Sequence, residues 1–274
     1  MNILRYNRLR NIARSLGLTK LFGLKQLWSR KKAVSYYYKH LPQEARINLL
    51  GIQYRLNVQN AFEWMRANAV YHDRHIIENL TSHVSFGDQV WDIGASMGAY
   101  TILLANKCGL NGRVYAFEPE AESMQMLEKN LELNNIQNVI PYKLALGNKE
   151  TKLALTPSET ASAGTHRLQE SEELVGNKNQ LVKVVTIDQL RKEENIPIPK
   201  ALKIDVEGFE ENVLLGGLKT ISMDECKAIM IEVHFSIFAE QKDFGRAQRI
   251  LDLLKKAGFV HQKWVDASHL LASK

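Results

Sequence analysis

The sequence predicts an α/β fold, a parallel sheet wrapped on both faces by helices. Three observations predict it. From about residue 60 onward, short apolar runs that read as buried strands alternate with amphipathic runs that read as helices. The first of these strands ends in Asp92-Ile93-Gly94 and opens through Gly98 straight into a helix. The composition, 45% hydrophobic and 24% charged over 274 residues, suits a folded chain with one large domain or a domain with an appendage.

In chain order, Leu9, Ile12, Ala13 and Leu16 fall at i, i+3, i+4 and i+7, and Leu21, Leu24 and Trp28 follow at helical spacing. This predicts two short amphipathic helices with basic outer faces. The connector SRKKAVSYYYKHLP ends them at Pro42. We therefore expect a basic helical extension over residues 1–59 and a main domain over 60–274. In the main domain FEWMRANAVYHDRHIIENLTSHV reads as helix, DQVWDIG as strand and AYTILLANKC as helix. GRVYAFEP is a second strand, closed by Pro119, and Met124, Leu127 and Leu131 mark a helix face. NVIPYKLAL is a third strand, and KLALT and LVKVVT are two more pieces within a long polar stretch. ALKIDVEG, FEENVLLGG and AIMIEVHF read as strand, helix and strand. Ala247, Ile250, Leu251 and Leu254 mark a last helix, and FVHQKWV with HLLAS a closing hairpin.

The net charge of +6 is unevenly spread. Residues 1–55 hold twelve Lys or Arg against one acid, Glu44, whereas the remainder holds 24 basic and 29 acidic residues. The basic character belongs to the extension. No run of 18 apolar residues suggests a membrane-spanning helix. Arg5, Arg8, Arg10 and Arg14 interrupt the apolar stretch a signal peptide would need. Cys108 and Cys226 show no metal or redox spacing, so a reducing, cytoplasmic setting is expected.

The stretch VWDIGASMGAYTILLA places Asp92, Gly94 and Gly98 between a strand and a helix. Such a turn serves a nucleotide-class ligand. Glycine lets the backbone approach closely, and the helix N-terminus offers free N–H groups. Glu118 ends the next strand, where an acid can accept hydrogen bonds from both ribose hydroxyls. A nicotinamide dinucleotide site wants Gly-X-Gly-X-X-Gly. Here Asp92 and Met97 stand at the first and third glycine positions, and a carboxylate would repel a pyrophosphate. S-adenosylmethionine carries no phosphate but has a cationic ammonium and sulfonium, which Asp92 could face directly or through water.

A second constellation, LKIDVEGFEENVLLG, runs from Leu202 to Gly216. It puts Asp205 and Glu207 at the carboxyl end of a strand, where open α/β sheets bind ligands. Glu210 and Glu211 read as helix-start acids on a solvated surface, complementing the helix dipole. Glu232 and His234 alternate with Val233 at the end of the next strand, so both face one side.

Together these segments resemble the FkbM family of S-adenosylmethionine-dependent methyltransferases. The resemblance rests on VWDIGASMGAYTILLA, VYAFEPE, Ala145-Leu146-Gly147, VVTIDQL and, above all, LKIDVEGFEENVLLG, in that order, over residues 70–273. It implies the class I (Rossmann-like) methyltransferase fold, with a seven-stranded, mostly parallel sheet whose last strand is antiparallel. It also implies O-methylation of sugars or natural-product hydroxyls. By matching positions, Asp92, Gly94, Ala95, Ser96 and Gly98, with Tyr100 and Thr101 at the helix start, would form the cofactor loop. Glu118 would hold the ribose, Pro119 and Ala145 would flank the adenine, and Asp205 would sit near the transferred methyl. Ser96-Met97 departs from the family's frequent Asn-Ile or Asn-Val.

A hydroxyl must lose its proton as it accepts a methyl. His234 or Asp205 is expected to take it, with Glu207 orienting the base or binding acceptor hydroxyls. Asp205, Glu207 and Glu232 offer carboxylates to a hard cation, but no dedicated metal spacing is visible, so no metal is expected. Nucleic acid is disfavoured as acceptor: Asp-Val-Glu-Gly replaces the Asn/Asp-Pro-Pro-aromatic of base methylation, and the carboxylates oppose phosphates. The expected acceptor is a saccharide, with a lipid or polyketide hydroxyl as the alternative; a non-catalytic cofactor-binding protein or a nicotinamide-dependent reductase stands further off. The polar stretch Asn148–Lys183 is a candidate lid, with Ser162, Thr165 and His166 as lining candidates. The basic extension could cap the site, contact an anionic membrane through residues 1–32, or bind nucleic acid.

Overall fold

The computed structural model describes residues 42–157, 166–169 and 180–274. The expected N-terminal helices, the membrane contact of residues 1–32, Ser162 and Thr165 lie outside the described residues. Residues 44–274 form one compact unit. Among the described residues no helix is long and apolar enough to cross a membrane.

The described chain starts with an antiparallel hairpin, β1 (Glu44–Leu49) and β2 (Ile52–Asn57), where helix was expected. The signal is in the sequence: Ala45, Ile47 and Leu49, then Tyr54 and Leu56, alternate with polar residues, the period of a one-sided strand. Leu50 and Gly51, both at positive φ, make the two-residue turn. The inward side chains join one core with Ile102, Leu103, Leu127 and Leu131. Asn134 and Asn130 side chains accept from the backbone N–H groups of Arg55 and Asn57.

The expected long helix is two, α1 (Ala61–Ala69) and α2 (Arg74–Thr81). Next come β3 (Gln89–Ile93), α3 (Ala99–Cys108), β4 (Arg113–Phe117), α4 (Ala121–Leu133) and β5 (Val139–Tyr142). The expected third strand stops at Tyr142. Its remainder, β6 (Ala145–Leu146), joins a second, four-stranded sheet with β7 (Thr151–Pro157), β8 (His166–Gln169) and β9 (Gln180–Val185), in the order β6-β9-β7-β8. The chain continues through α5 (Ile187–Glu193), β10 (Ala201–Ile204), α6 (Glu210–Gly216), α7 (Leu218–Ser222), β11 (Ala228–Glu232), α8 (Phe235–Glu240) and α9 (Arg246–Lys256). The closing hairpin is β12 (His261–Trp264) and β13 (His269–Ser273).

The main sheet has seven strands in the order β12-β13-β11-β10-β3-β4-β5. β11, β10, β3, β4 and β5 pair in parallel, and β13 runs antiparallel to both neighbours. Six strands therefore share one direction and β13 opposes them, as expected of the class I methyltransferase sheet. Alternate residues build two cores. Trp91, Ile93, Leu202, Ile204, Ile229 and Ile231 pack with Val213, Leu214, Ile250 and Leu254 of α6 and α9. Val90, Ala201, Ala228 and Met230 point to the other face, against Ile76, Leu80 and Leu104 of α2 and α3. Both faces are dry, so the central strands read as nearly unbroken apolar runs. The exceptions on the second face are Asp92 and Lys203, which are register partners. Cys108 and Cys226 are buried free thiols.

Candidate active site

The carboxyl ends of β3, β4 and β10 meet at a cleft where the strand order reverses between β3 and β10, the place such sheets bind ligands. The β3–α3 turn is folded against β4: Gly94 and Ala95 donate N–H groups to the Phe117 carbonyl. Gly94 has φ +82, and a Cβ there would lie 1.8 Å from the Asp205 carbonyl oxygen. Only glycine lets the β3 and β10 turns approach this closely.

Glu118 follows β4. Its two carboxylate oxygens accept from the backbone N–H groups of Ser96 and Glu120, each at 2.8 Å. Burial pushes its carboxyl up to about 7, against those two hydrogen bonds. Pro119, Leu144, Ala145, Leu146, Leu155 and Leu168 add an apolar lining. Leu155 and Leu168 come from the second sheet, inside the polar stretch expected to overhang the site. Arg66 of α1 also lines the cleft. The side chain of His166 is not among those described.

Five of the ten expected cofactor residues line the cleft: Gly94, Ser96, Glu118, Pro119 and Ala145. Asp92 does not. It lies in the body of the strand on the α3 face, fully buried. Its Oδ2 accepts from the Thr101 hydroxyl at 2.6 Å, and its Oδ1 is 3.5 Å from Lys203 Nζ. Thr101 is thus occupied with Asp92. Tyr100 bonds Asp73 and lies under Lys203, whose Nζ is 5.2 Å from the ring centroid. Ala95 is buried, and Gly98, at φ +88, starts α3.

Nothing in the sequence singles out Lys203. Its ammonium donates to the Gly94 carbonyl at 2.9 Å and to Asp205 Oδ2 at 3.2 Å, so it ties both turns together. Burial alone would lower its pKa, but the Asp205 and Asp92 carboxylates outweigh that and hold it charged. Burial likewise works against the Asp205 carboxylate, yet Lys203 and His234 hold it down to about 2.

The expected catalytic trio does converge. Asp205 and Glu207 line the cleft. His234, at the start of α8, brings Nε2 to 3.8 Å from Asp205 Oδ1 and 3.5 Å from Glu207 Oε2. Glu207 sits at φ +51, followed by Gly208 at φ +96. A non-glycine residue in this left-handed region costs on the order of 1 kcal/mol. Burial, then the charge of Asp205, raises the Glu207 carboxyl.

Glu210 is no solvated helix-start acid. It is fully buried. Its Oε1 accepts from the Gly208 N–H at 2.8 Å and lies 2.7 Å from His234 Nδ1. Burial opposes a charged imidazole, but the Glu210 hydrogen bond and the surrounding carboxylates push His234 up to about 10. Glu211 is held by a bidentate pair with Arg249 at 2.6 and 2.9 Å. Behind the trio, Glu232 lies 3.9 Å from His234 Nε2 and 3.4 Å from His269 Nε2, and His269 in turn contacts Asp266. In the VVTIDQL segment the polar residues Thr186 and Asp188 are structural. Thr186 caps α5, and Asp188 accepts the backbone N–H groups of Lys219 and Thr220 at the start of α7.

The sheet order and the cleft at its switch point define a class I methyltransferase architecture. The family described as "Methyltransferase FkbM domain" matches residues 92–260, more than half of the chain, and the protein belongs to this family of methyltransferases. S-adenosylmethionine is the usual cofactor of the family. The hexuronic acid methyltransferase AglP of Haloferax volcanii is 26% identical over 187 residues, covering 68% of this chain and 73% of that protein. Methyltransferase 1 of Beauveria bassiana is 25% identical over 177 residues, covering 59% of this chain and 69% of that protein. The solved FkbM methyltransferase of Methylobacillus flagellatus aligns at 16% identity and a TM-score of 0.45, over 77% of this chain and 54% of that one. The chain thus spans just over half the length of that structure.

Proposed function

We propose that the protein transfers a methyl group from S-adenosylmethionine to a hydroxyl of a saccharide. The observation that carries this reading is the lining of one cleft by Glu118, by an apolar slot, and by Asp205 and Glu207 with His234 behind them. A nucleoside cofactor and a polyhydroxylated acceptor need these two kinds of surface side by side. The saccharide acceptor is supported by the Haloferax volcanii relative, which is named for a hexuronic acid.

The cleft fits the cofactor on its own terms. Glu118 is fixed by two backbone N–H groups and keeps lone pairs for ribose hydroxyls. The apolar residues around Ala145 suit an adenine, and the missing Cβ at Gly94 leaves the turn close-packed. When bound, S-adenosylmethionine supplies an electrophilic methyl group. The chain's own task is to hold the acceptor oxygen in line, worth on the order of 7–11 kcal/mol, and to remove its proton. We assign the holding to Asp205, Glu207 and His234, and the proton to the two carboxylates, because His234 already carries its proton. Asp92 serves indirectly in this reading: it holds Lys203, and Lys203 orients Asp205.

Calorimetric titration with S-adenosylhomocysteine and with NADH tests the cofactor. Binding of the first and not the second is expected; the reverse would overturn the reading. Incubation with a panel of glycans, including hexuronic acids, followed by mass spectrometry, tests the acceptor. A mass gain on a lipid or polyketide and on none of the glycans would replace the saccharide reading.

A further inference from the structure

We propose that Asp205, Glu207 and His234 together hold a divalent cation of the Mn²⁺ or Mg²⁺ class at the cleft. The binding site stands on geometry alone; only its role rests on the methyltransferase reading.

One oxygen of each carboxylate and a ring nitrogen of His234 all lie within 4.8 Å of one another, and Nε2 is the nitrogen that faces both carboxylates. Neighbouring ligands around a cation at about 2.1 Å lie roughly 3 Å apart. The observed 3.5 and 3.8 Å separations from Nε2 exceed this by less than 1 Å.

Each donor is aimed by something that is not itself a ligand. Lys203 takes Asp205 Oδ2, leaving Oδ1 toward the site. The left-handed backbone at Glu207 turns its side chain back toward His234. Glu210 takes His234 Nδ1 at 2.7 Å, leaving Nε2 toward the two carboxylates; a cation bound there takes the place of the Nε2 proton, which leaves to solvent. A histidine that binds a metal typically donates its other ring N–H to a carboxylate in this way. This also gives a role to Glu210, a fully buried carboxylate. A further acid, Glu232, stands 3.9 Å from the same imidazole nitrogen.

Two carboxylates and one imidazole suit Mn²⁺ best, with Mg²⁺ next; thiolate-loving metals find no sulfur among these donors. Three protein ligands leave positions open on a six-coordinate cation. Two adjacent acceptor oxygens, as in a vicinal diol or a hydroxyl beside a carboxylate, can fill them. A cation there would polarise the acceptor hydroxyl and ease loss of its proton. The ligands come from two different strand ends, 27 and 29 residues apart, so no compact metal-binding motif is visible in the sequence.

The test uses the full chain stripped with EDTA and titrated with MnCl₂, followed by electron paramagnetic resonance and calorimetry. We expect one saturable Mn²⁺ per chain and nitrogen modulation from a directly bound imidazole. Asp205→Asn and Glu207→Gln should each weaken Mn²⁺ binding at least tenfold, and Glu210→Gln roughly 10–100-fold. Absence of saturable binding, absence of nitrogen coupling, or unchanged binding in all three variants would overturn the proposal. The wild-type measurements decide the matter even if a variant fails to fold. S-adenosylhomocysteine binding, measured in EDTA, separates the two readings. Cofactor binding without a Mn²⁺ site removes only the cation; a Mn²⁺ site without cofactor binding removes the methyltransferase reading and leaves the cation site standing.

Discussion

Gly94→Ala is the substitution that most directly probes how the two site turns are joined. Gly94 has φ +82, a conformation that costs an alanine about 1–2 kcal/mol. The added methyl would also lie 1.8 Å from the Asp205 carbonyl oxygen and 2.9 Å from its carbon. This is main chain on both sides, with Lys203 clamping the Gly94 carbonyl and the Asp205 carboxylate. No rotamer change can relieve the overlap. Overpacking of this kind costs a further ~1–3 kcal/mol. With a combined loss of about 3 kcal/mol, a unit of this size should melt roughly 6–12 °C lower. Gly51→Ala is the internal control: its φ is +78, but nothing lies within 4 Å of the added methyl. It should cost only the conformational part, about 1 kcal/mol or roughly 2–4 °C. Scanning calorimetry measures both, and titration with S-adenosylhomocysteine should show a loss of affinity in Gly94→Ala alone. Equal melting temperatures for the two variants would refute the close-approach argument.

Two further outcomes follow from buried charge. Lys203→Met leaves Asp92 buried beside an apolar group and should cost about 3–5 kcal/mol in urea unfolding; adding Asp92→Asn should recover part of it, and a loss below 1 kcal/mol in the single variant would refute the pairing. In the proposed reading Glu118, pushed up to about 7 by burial, accepts from ribose hydroxyls most strongly when ionised. Because its folded pKa is raised, the protein without ligand loses stability as pH rises from the unfolded carboxyl value through 7. Affinity for methylthioadenosine, which has the ribose but no ammonium, should move the other way, rising about tenfold between pH 6 and 8. Glu118→Gln should abolish that slope; a slope that persists would assign it to another group.

The strand and helix pattern was legible because the sheet is buried on both faces. VWDIG, RVYAF, ALKI and AIMIE are short apolar runs with few other ways to be buried. The hairpin at residues 44–57 has a clear period-2 alternation, but the basic charge around it points to an extension. The break after Tyr142 was not legible, since nothing in NVIPYKLAL marks the point where a strand leaves one sheet for another. The sequence places Asp92 along the strand, and that alone suggests a ligand for the cofactor's charge. Depth within the sheet decides that it meets Thr101 and Lys203 instead.

From the sequence alone came the α/β class, the turn at Gly94 and Gly98, Glu118 after the second strand, and the gathering of Asp205, Glu207 and His234 at adjacent strand ends. These follow from local periodicity and from the rule that parallel strands present their carboxyl ends on one edge. Only the tertiary structure decided the roles of Lys203 and Glu210. Both are charged residues whose ordinary place is the surface, and only three-dimensional packing shows each buried against partners of complementary hydrogen-bonding character. Lys203 meets Asp92 across a strand register, and Glu210 meets His234 across a helix start. Such pairings depend on which segments become neighbours, a property that spacing along the chain does not carry.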